Sequence, residues 1–220
     1  TPPAPTRENP PMTALNSIAS SGLQAAQLRP GTSAHNIANQ QTAPFQRQSV
    51  AQQAQPGGGT VASVQTARSN GTQVSFDTNL RLKLWSLDEA CAAIKKAAAL
   101  CDWFLPSMDD AVHLSGHTTP ADVIIWAHAL GAPTVVLKLG SDGCLVSQGG
   151  QQQHIPGHSV TLVDATGAGD CFCGNLLARL AAGDALVDAA RYANAAAAVA
   201  VQGFGAVAPL PHAVSVRRLL

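Results

Sequence analysis

From residue 74 onward, short apolar runs alternate with longer amphipathic stretches. Val74-Ser75-Phe76-Asp77 reads as a short strand that stops at polar residues. Ser86 is placed to cap a helix running to about residue 100, with Asp88 and Glu89 in its first turn and Lys95 and Lys96 late. That order suits the helix dipole. Trp103-Phe104-Leu105 reads as a second strand, and Thr119-Pro120 opens a helix to His128 with Pro at its first position. The near-continuous apolar run Thr134-Val135-Val136-Leu137-Lys138-Leu139 suits a parallel strand buried on both faces. Residues 143–146 continue as a turn and a fourth strand, and 160–163 read as a further strand ending at Asp164. Helices follow over about 169–182 and 184–202. This alternation predicts an α/β fold, a parallel sheet with right-handed crossovers, flanked by helices. Ligands then bind at the carboxyl ends of the strands.

Residues 1–73 follow a different pattern. Pro2, Pro3, Pro5, Pro10 and Pro11 make the first residues an extended tail. Met12, Leu15, Ile18 (or Ala19), Leu23 (or Gly22) and Ala26 recur at helical spacing, and Pro30-Gly31 kinks or ends that helix. A second short helix, about 33–39, has Thr32 or Ser33 as its cap. Segments 52–59 and 69–71 read as flexible. The expected organisation is a mostly helical or disordered arm over 1–73, lying on the second half or on another subunit, and an α/β unit over 74–220.

Composition sharpens that division. Residues 1–73 hold four Arg and one Glu against nine basic and twelve acidic residues in 74–220, so the halves carry +3 and −3 and the whole is neutral. A neutral chain lacks the basic patch that a nucleic-acid backbone calls for. The longest strictly apolar run, residues 195–201, is far short of the roughly 18–20 residues of a bilayer span. No charged-then-apolar signal segment stands at the start, and the expected location is cytoplasmic. The five cysteines are odd in number and scattered, which predicts reduced, mostly buried thiols. His113/His117 and His154/His158 stand four apart, but no pair of Cys stands at zinc-finger spacing to complete a site, and no structural zinc is expected.

The chemistry concentrates at Val163-Asp164-Ala165-Thr166-Gly167-Ala168-Gly169-Asp170, which follows a predicted strand and opens an apolar helix. Gly167 and Gly169 let the backbone curl tightly and approach a ligand. Successive N–H groups at such a helix start form an anion site. A carboxylate beside an anion hole is awkward for phosphate binding alone. It makes sense if Asp170 accepts a proton from an attacking hydroxyl while the N–H groups hold a transferring phosphoryl group. The bland alternative is a glycine-rich turn with Asp170 as an ordinary cap. The string is no Walker A loop, because no G-K-[ST] occurs, and no dinucleotide fingerprint, because Phe172 stands where Gly is required.

The full string Asp164-Ala165-Thr166-Gly167-Ala168-Gly169-Asp170-Cys171-Phe172-Cys173-Gly174 resembles the second signature of the ribokinase family, the PfkB-type carbohydrate kinases, with Ala165 where the signature has Thr. Lys138-Leu139-Gly140-Ser141-Asp142-Gly143 resembles that family's nucleotide turn, and Tyr192-Ala193-Asn194-Ala195 and Gly203-Phe204-Gly205-Ala206 resemble the late helix and loop that flank the adenine. Ser107-Met108-Asp109-Asp110 stands where the family has N-x-x-E. The resemblance implies a partial ribokinase-like fold, ATP and Mg2+, and Asp170 as catalytic base. It implies Gly167, Ala168 and Gly169 as the anion hole and Lys138, Gly140, Asp142, Gly143, Asn194 and Gly205 as nucleotide contacts. Asp110 would help organise Mg2+, and Asp164 a monovalent cation, K+. A homodimer is one assembly compatible with this reading.

Asp77-Thr78-Asn79-Leu80-Arg81-Leu82-Lys83-Leu84-Trp85 resembles the segment lining the sugar site of bacterial 2-keto-3-deoxygluconate kinases and fructokinases. The stretch 76–211 is most similar to the ketodeoxygluconate kinases. Asp77, Asn79 and Arg81 would then contact a sugar or sugar acid, a guanidinium being able to hold a carboxylate bidentately. Alternatives stay open: a surface ion pair for Arg81, core packing for Trp85, and packing or capping for Asn194.

Residues 12–67, with Ser21-Gly22-Leu23 and Asn36-Ile37-Ala38-Asn39, resemble the N-terminal segment of flagellar rod and hook proteins. That resemblance implies a structural rod component as an alternative function. The early strands, first Gly-Gly signature and small lid of a ribokinase-type protein are not recognisable in 1–73. The expectation is a composite or truncated chain that starts at Thr1, a weak kinase or an inactive nucleotide-binding remnant by itself.

Overall fold

The computed structural model describes residues 73–84 and 86–220. The predicted N-terminal helices, the rod-like motifs and Trp85 lie outside the described residues. The described elements run β1 (Ser75–Phe76), α1 (Leu87–Ala98), β2 (Trp103–Phe104), α2 (Met108–Ser115), α3 (Pro120–Ala129), β3 (Thr134–Lys138), β4 (Cys144–Gln148), β5 (Gln151–Ile155), α4 (Ala168–Ala181), α5 (Leu186–Ala200) and α6 (Ala213–Leu219).

Local chemistry explains most of them. Ser86 accepts from the Glu89 N–H while the Glu89 carboxylate reaches back to the Ser86 N–H, a complete capping box on α1. Ala90, Ile94 and Ala98 form its buried stripe. Ser107 caps α2 through the Asp110 N–H, and Gly116 closes it in the left-handed conformation at φ 76°. Thr119 caps α3 through the Asp122 N–H.

The five strands form one sheet in sequence order. β1, β2 and β3 are parallel, whereas β4 and β5 run antiparallel. The expectation of a purely parallel sheet is therefore corrected to a mixed one. Gly149 and Gly150, at φ 59° and 78°, make the two-residue turn that lets β5 fold straight back on β4. The strand expected at 160–163 does not form. Leu162 and Val163 are instead exposed on an irregular segment, with the Val163 and Asp164 N–H groups donating to the Val201 carbonyl.

Side chains alternate along β3, and the two faces meet different layers. Val135 and Leu137 enter a core with Ile94, Phe104, Leu114, Val123 and Ile124 under α1, α2 and α3. Val136 enters the opposite core with Phe172, Leu176, Ala189, Ala190 and Ala193 under α4 and α5. Lys138, two residues after Val136, points to that second face at the carboxyl end of the strand. Among the described residues, no helix is long and apolar enough to cross a membrane.

Candidate active site

α4 begins without a side-chain cap. Its N-cap residue is Gly167 at φ 77°, a conformation L side chains rarely adopt. A Cβ here would also stand 2.9 Å from the Ala206 Cβ. The Ala168 N–H donates to the Ala165 carbonyl at 3.1 Å, so Ala168 is not an open donor as expected. The N–H groups of Gly167, Gly169 and Asp170 have no acceptor among the described residues and supply the open amides. They carry the positive end of a 14-residue helix.

Asp170 stands in the first turn of α4 with an exposed face. Removal of water by neighbouring protein raises its pKa above the ordinary aspartate value, and Asp77 adds to the rise. Lys138 and Arg81 pull the other way, and solvent at the exposed face screens all of these effects.

Asp77 and Lys138 do not stand free for ligands as predicted. The Lys138 ammonium donates to Asp77 Oδ1 at 2.8 Å and to Cys173 Sγ at 3.5 Å, and the Cys173 thiol donates to Asp77 Oδ2 at 3.4 Å. Burial lowers the Lys138 pKa, but the Asp77 carboxylate and the hydrogen bonds to Asp77 and Cys173 outweigh it and the net shift is upward. Burial pushes the Cys173 thiol up as well, so it stays protonated. All five cysteines are free thiols, four of them buried, as expected. Burial also raises Cys144 and Cys171 to about 12.

A cleft of about 620 Å³ opens beside these amides. It gathers Lys138, Gly140, Gly143, Ala168, Gly169 and Asn194 of the predicted set. The remaining wall comes from Ser141, 157–160, Leu162, Ala165, Phe172, Ala197, Ala198 and Val201. Sequence reading missed the 157–160 wall, which carries no motif. Asn194 is tied to structure: its amide donates to the Ile155 and Pro156 carbonyls at 3.1 and 3.3 Å, the packing alternative. A Cβ on Gly143 would overlap the Ile155 carbonyl, and one on Gly157 the Ser141 carbonyl, so two backbones meet at the cleft floor. Asp142 lines a neighbouring open groove instead, and its carbonyl bonds His154 Nε2 at 2.8 Å.

The other predicted residues, Gly167 and Asp170 included, do not line this cleft. Asp164 Oδ1 accepts from the Thr166 N–H and hydroxyl at 2.9 and 2.6 Å, and Oδ2 accepts from the Gly205 N–H at 2.9 Å. The Thr166 hydroxyl, the Thr166 amide and the Gly205 amide hold the Asp164 pKa low. Asp110 Oδ2 accepts from the Thr78 hydroxyl at 2.6 Å and the Leu80 N–H at 3.1 Å, fixing the segment after β1. Asn79 is exposed there at φ 37°. Arg81 is exposed, donates to the Leu80 carbonyl at 2.9 Å, and makes no ion pair among the described residues. Those residues hold no cluster of three or more His, Cys, Asp and Glu that fits a metal ion.

The described residues thus bring open amides at a helix start, a neighbouring carboxylate and a cleft to the carboxyl end of β3. Residues 16–213 match the pfkB family carbohydrate kinase pattern. This chain belongs to that family. The match overlaps the segment with the rod-like motifs. Over 150 residues the chain is 38% identical to the aminoimidazole riboside kinase of Salmonella typhimurium, covering 66% of this chain and 47% of that one. It is 34% identical over 147 residues to the 2-dehydro-3-deoxygluconokinase of Bacillus subtilis, covering 66% and 45%. The chain thus spans about half the length of the curated relatives it matches. Aminoimidazole riboside kinase from Salmonella enterica, solved with aminoimidazole riboside and an ATP analog, superposes with a TM-score of 0.68 at 34% identity over 72% of this chain and 56% of that one. Fructokinase from Vibrio cholerae, with fructose, ADP and calcium, gives 0.68 at 32% identity over 72% and 54%. The fold is ribokinase-like.

Proposed function

We propose that this pfkB family chain carries the nucleotide side and the base of an ATP-dependent sugar kinase. The observation that carries the reading is the uncapped start of α4. There, three unpartnered amides stand next to the exposed Asp170 carboxylate, and the residue between them, Gly169, lines a cleft large enough for a nucleotide. Ala197, Ala198, Val201 and Leu162 supply apolar wall for a base ring, and the amides suit phosphate oxygens. Asp170 accepts the proton of the sugar hydroxyl as that oxygen attacks the γ-phosphorus. The bond to the β–γ bridging oxygen breaks, and ADP leaves with the electron pair. The open amides hold the negative charge as it migrates.

The donor set does not fit a resident Mg2+ of its own. Mg2+ is best treated as arriving with ATP, where it neutralises phosphate charge. Asp164, with both oxygens engaged, is best assigned as a clasp between the start of α4 and the 203–205 loop. Among acceptors, a sugar acid such as 2-keto-3-deoxygluconate is favoured, because the exposed Arg81 guanidinium is free of a carboxylate partner among the described residues. Aminoimidazole riboside and fructose are the competing acceptors.

The test measures ATP-dependent phosphorylation of the three acceptors by the wild type and by Asp170→Asn. Loss of a general base costs on the order of 10²–10⁴ in kcat, with ATP affinity nearly unchanged. Full turnover in Asp170→Asn sinks the assignment. ATP binding without product from any acceptor leaves a nucleotide-binding protein and no kinase.

A further inference from the structure

Three elements converge under the start of α4. Asp77 follows the end of β1, Lys138 ends β3, and Cys173 lies one turn into α4. The side chains of Lys138 and Asp77 are 12% and 25% exposed, so their ion pair is substantially shielded from water. A Cβ on Gly169 would stand 3.6 Å from the Lys138 Nζ. The ammonium therefore lies directly beside the open amides, and the bare Gly169 backbone is what separates it from them.

We propose that Lys138 is a positioning residue: locked to Asp77 beneath the start of α4, its ammonium cancels the carboxylate that faces Asp170 and keeps Asp170 available as an ionised base. The inference rests on the reading of Asp170 as the base, and it differs from a direct Lys138–phosphate contact. Cys173, whose thiol donates to Asp77 Oδ2 at 3.4 Å, stands three residues after Asp170 on the same face of α4, and the charged groups that act on Asp170 are Asp77 from the end of β1, Lys138 from β3 and Arg81 from the segment after β1. On α4 itself, the neighbouring Cys171 thiol is held protonated, as is Cys173 below it. Asp110 on α2 engages Thr78 and Leu80. Like-charged carboxylates that share a site resist joint ionisation, and a cation between them removes that resistance. An ammonium shielded by protein also serves poorly as a mobile phosphate ligand, because its Asp77 partner would be left behind without its counter-charge.

The experiment titrates the Asp170 carboxyl by carbon-13 NMR in the full chain, without substrate, and measures ATP affinity in parallel. In Lys138→Met the Asp170 midpoint rises by on the order of one pH unit. In Asp77→Asn, which leaves Lys138 uncompensated, it falls. The double variant, neutral at both positions, returns it towards the wild-type value. An Asp170 midpoint that stays put in both single variants overturns the inference, and Asp77→Asn keeps the test alive if Lys138→Met does not fold. A large loss of ATP affinity in Lys138→Met with an unmoved midpoint overturns it in favour of direct phosphate binding. Failure of the kinase reading shows separately, as absence of phosphoryl transfer by a wild type whose Asp170 midpoint still follows its neighbours.

Discussion

Asp170 combines two properties that seldom coincide, an exposed face and a pKa held above the ordinary carboxylate value. The cause is local: neighbouring protein excludes water from one side, and Asp77 repels a second negative charge. A base must be ionised to accept a proton, so kcat/KM falls as pH drops through the Asp170 pKa. We expect the acid limb of the pH profile above the ordinary aspartate value of about 3.9. A limb at or below that value, measured with saturating ATP, contradicts the assignment. At this scale the sequence was only partly legible. The 164–170 string announced an uncapped helix start beside a carboxylate because the glycines and Asp170 that make it stand in adjacent residues. The ion pair between Asp77 and Lys138 joins positions 61 residues apart, and no local pattern encodes such a meeting. Asn194 was ambiguous for the same reason, since the carbonyls it satisfies belong to a distant turn.

Whether an element could be read depended on how it is stabilised. α1 and α3 were plain because capping side chains, first-turn acids and buried stripes lie in consecutive residues. β5 was hidden: Gln151, Gln152, Gln153 and His154 are exposed, so no apolar alternation marks them, and pairing follows from the Gly149-Gly150 turn. The false strand at 160–163 shows the converse. Its apolar residues line or rim a cleft rather than a core, and hydrophobicity alone does not distinguish the two. α2 and α6 were overlooked because each is short, at eight and seven residues. At the start of α4 backbone conformation matters more than side-chain chemistry. Gly167→Ala would place a Cβ at positive φ and against Ala206. We expect a loss of about 1–3 kcal/mol in stability, read by denaturant unfolding, together with weaker ATP binding. An unchanged midpoint and affinity would mean that the turn is not constrained as described.

Across the whole molecule, the alternation of strands and helices indicated an α/β fold, and the structure modifies it in one respect. β4 and β5 form a hairpin, so the sheet is parallel on one side and antiparallel on the other. The open end of the hairpin, opposite the Gly149-Gly150 turn, lies at the cleft floor, where Gly143 and Gly157 let two backbones touch. Ligand binding should therefore stabilise the whole fold. At about one hundred times its Kd, ATP contributes about 2.7 kcal/mol, which for a domain of this size raises Tm by roughly 5–10 °C. Calorimetry with and without nucleotide checks this, and an unmoved Tm removes the cleft as an ATP site. The Asp164 contacts reach further still. One carboxylate grips its own turn and the distant Gly205 amide, so the approach to α4 and the 203–205 loop are tied together. If the cleft takes ATP as proposed, we expect nucleotide to leave without these two segments parting, its residence time following how firmly its phosphates are anchored.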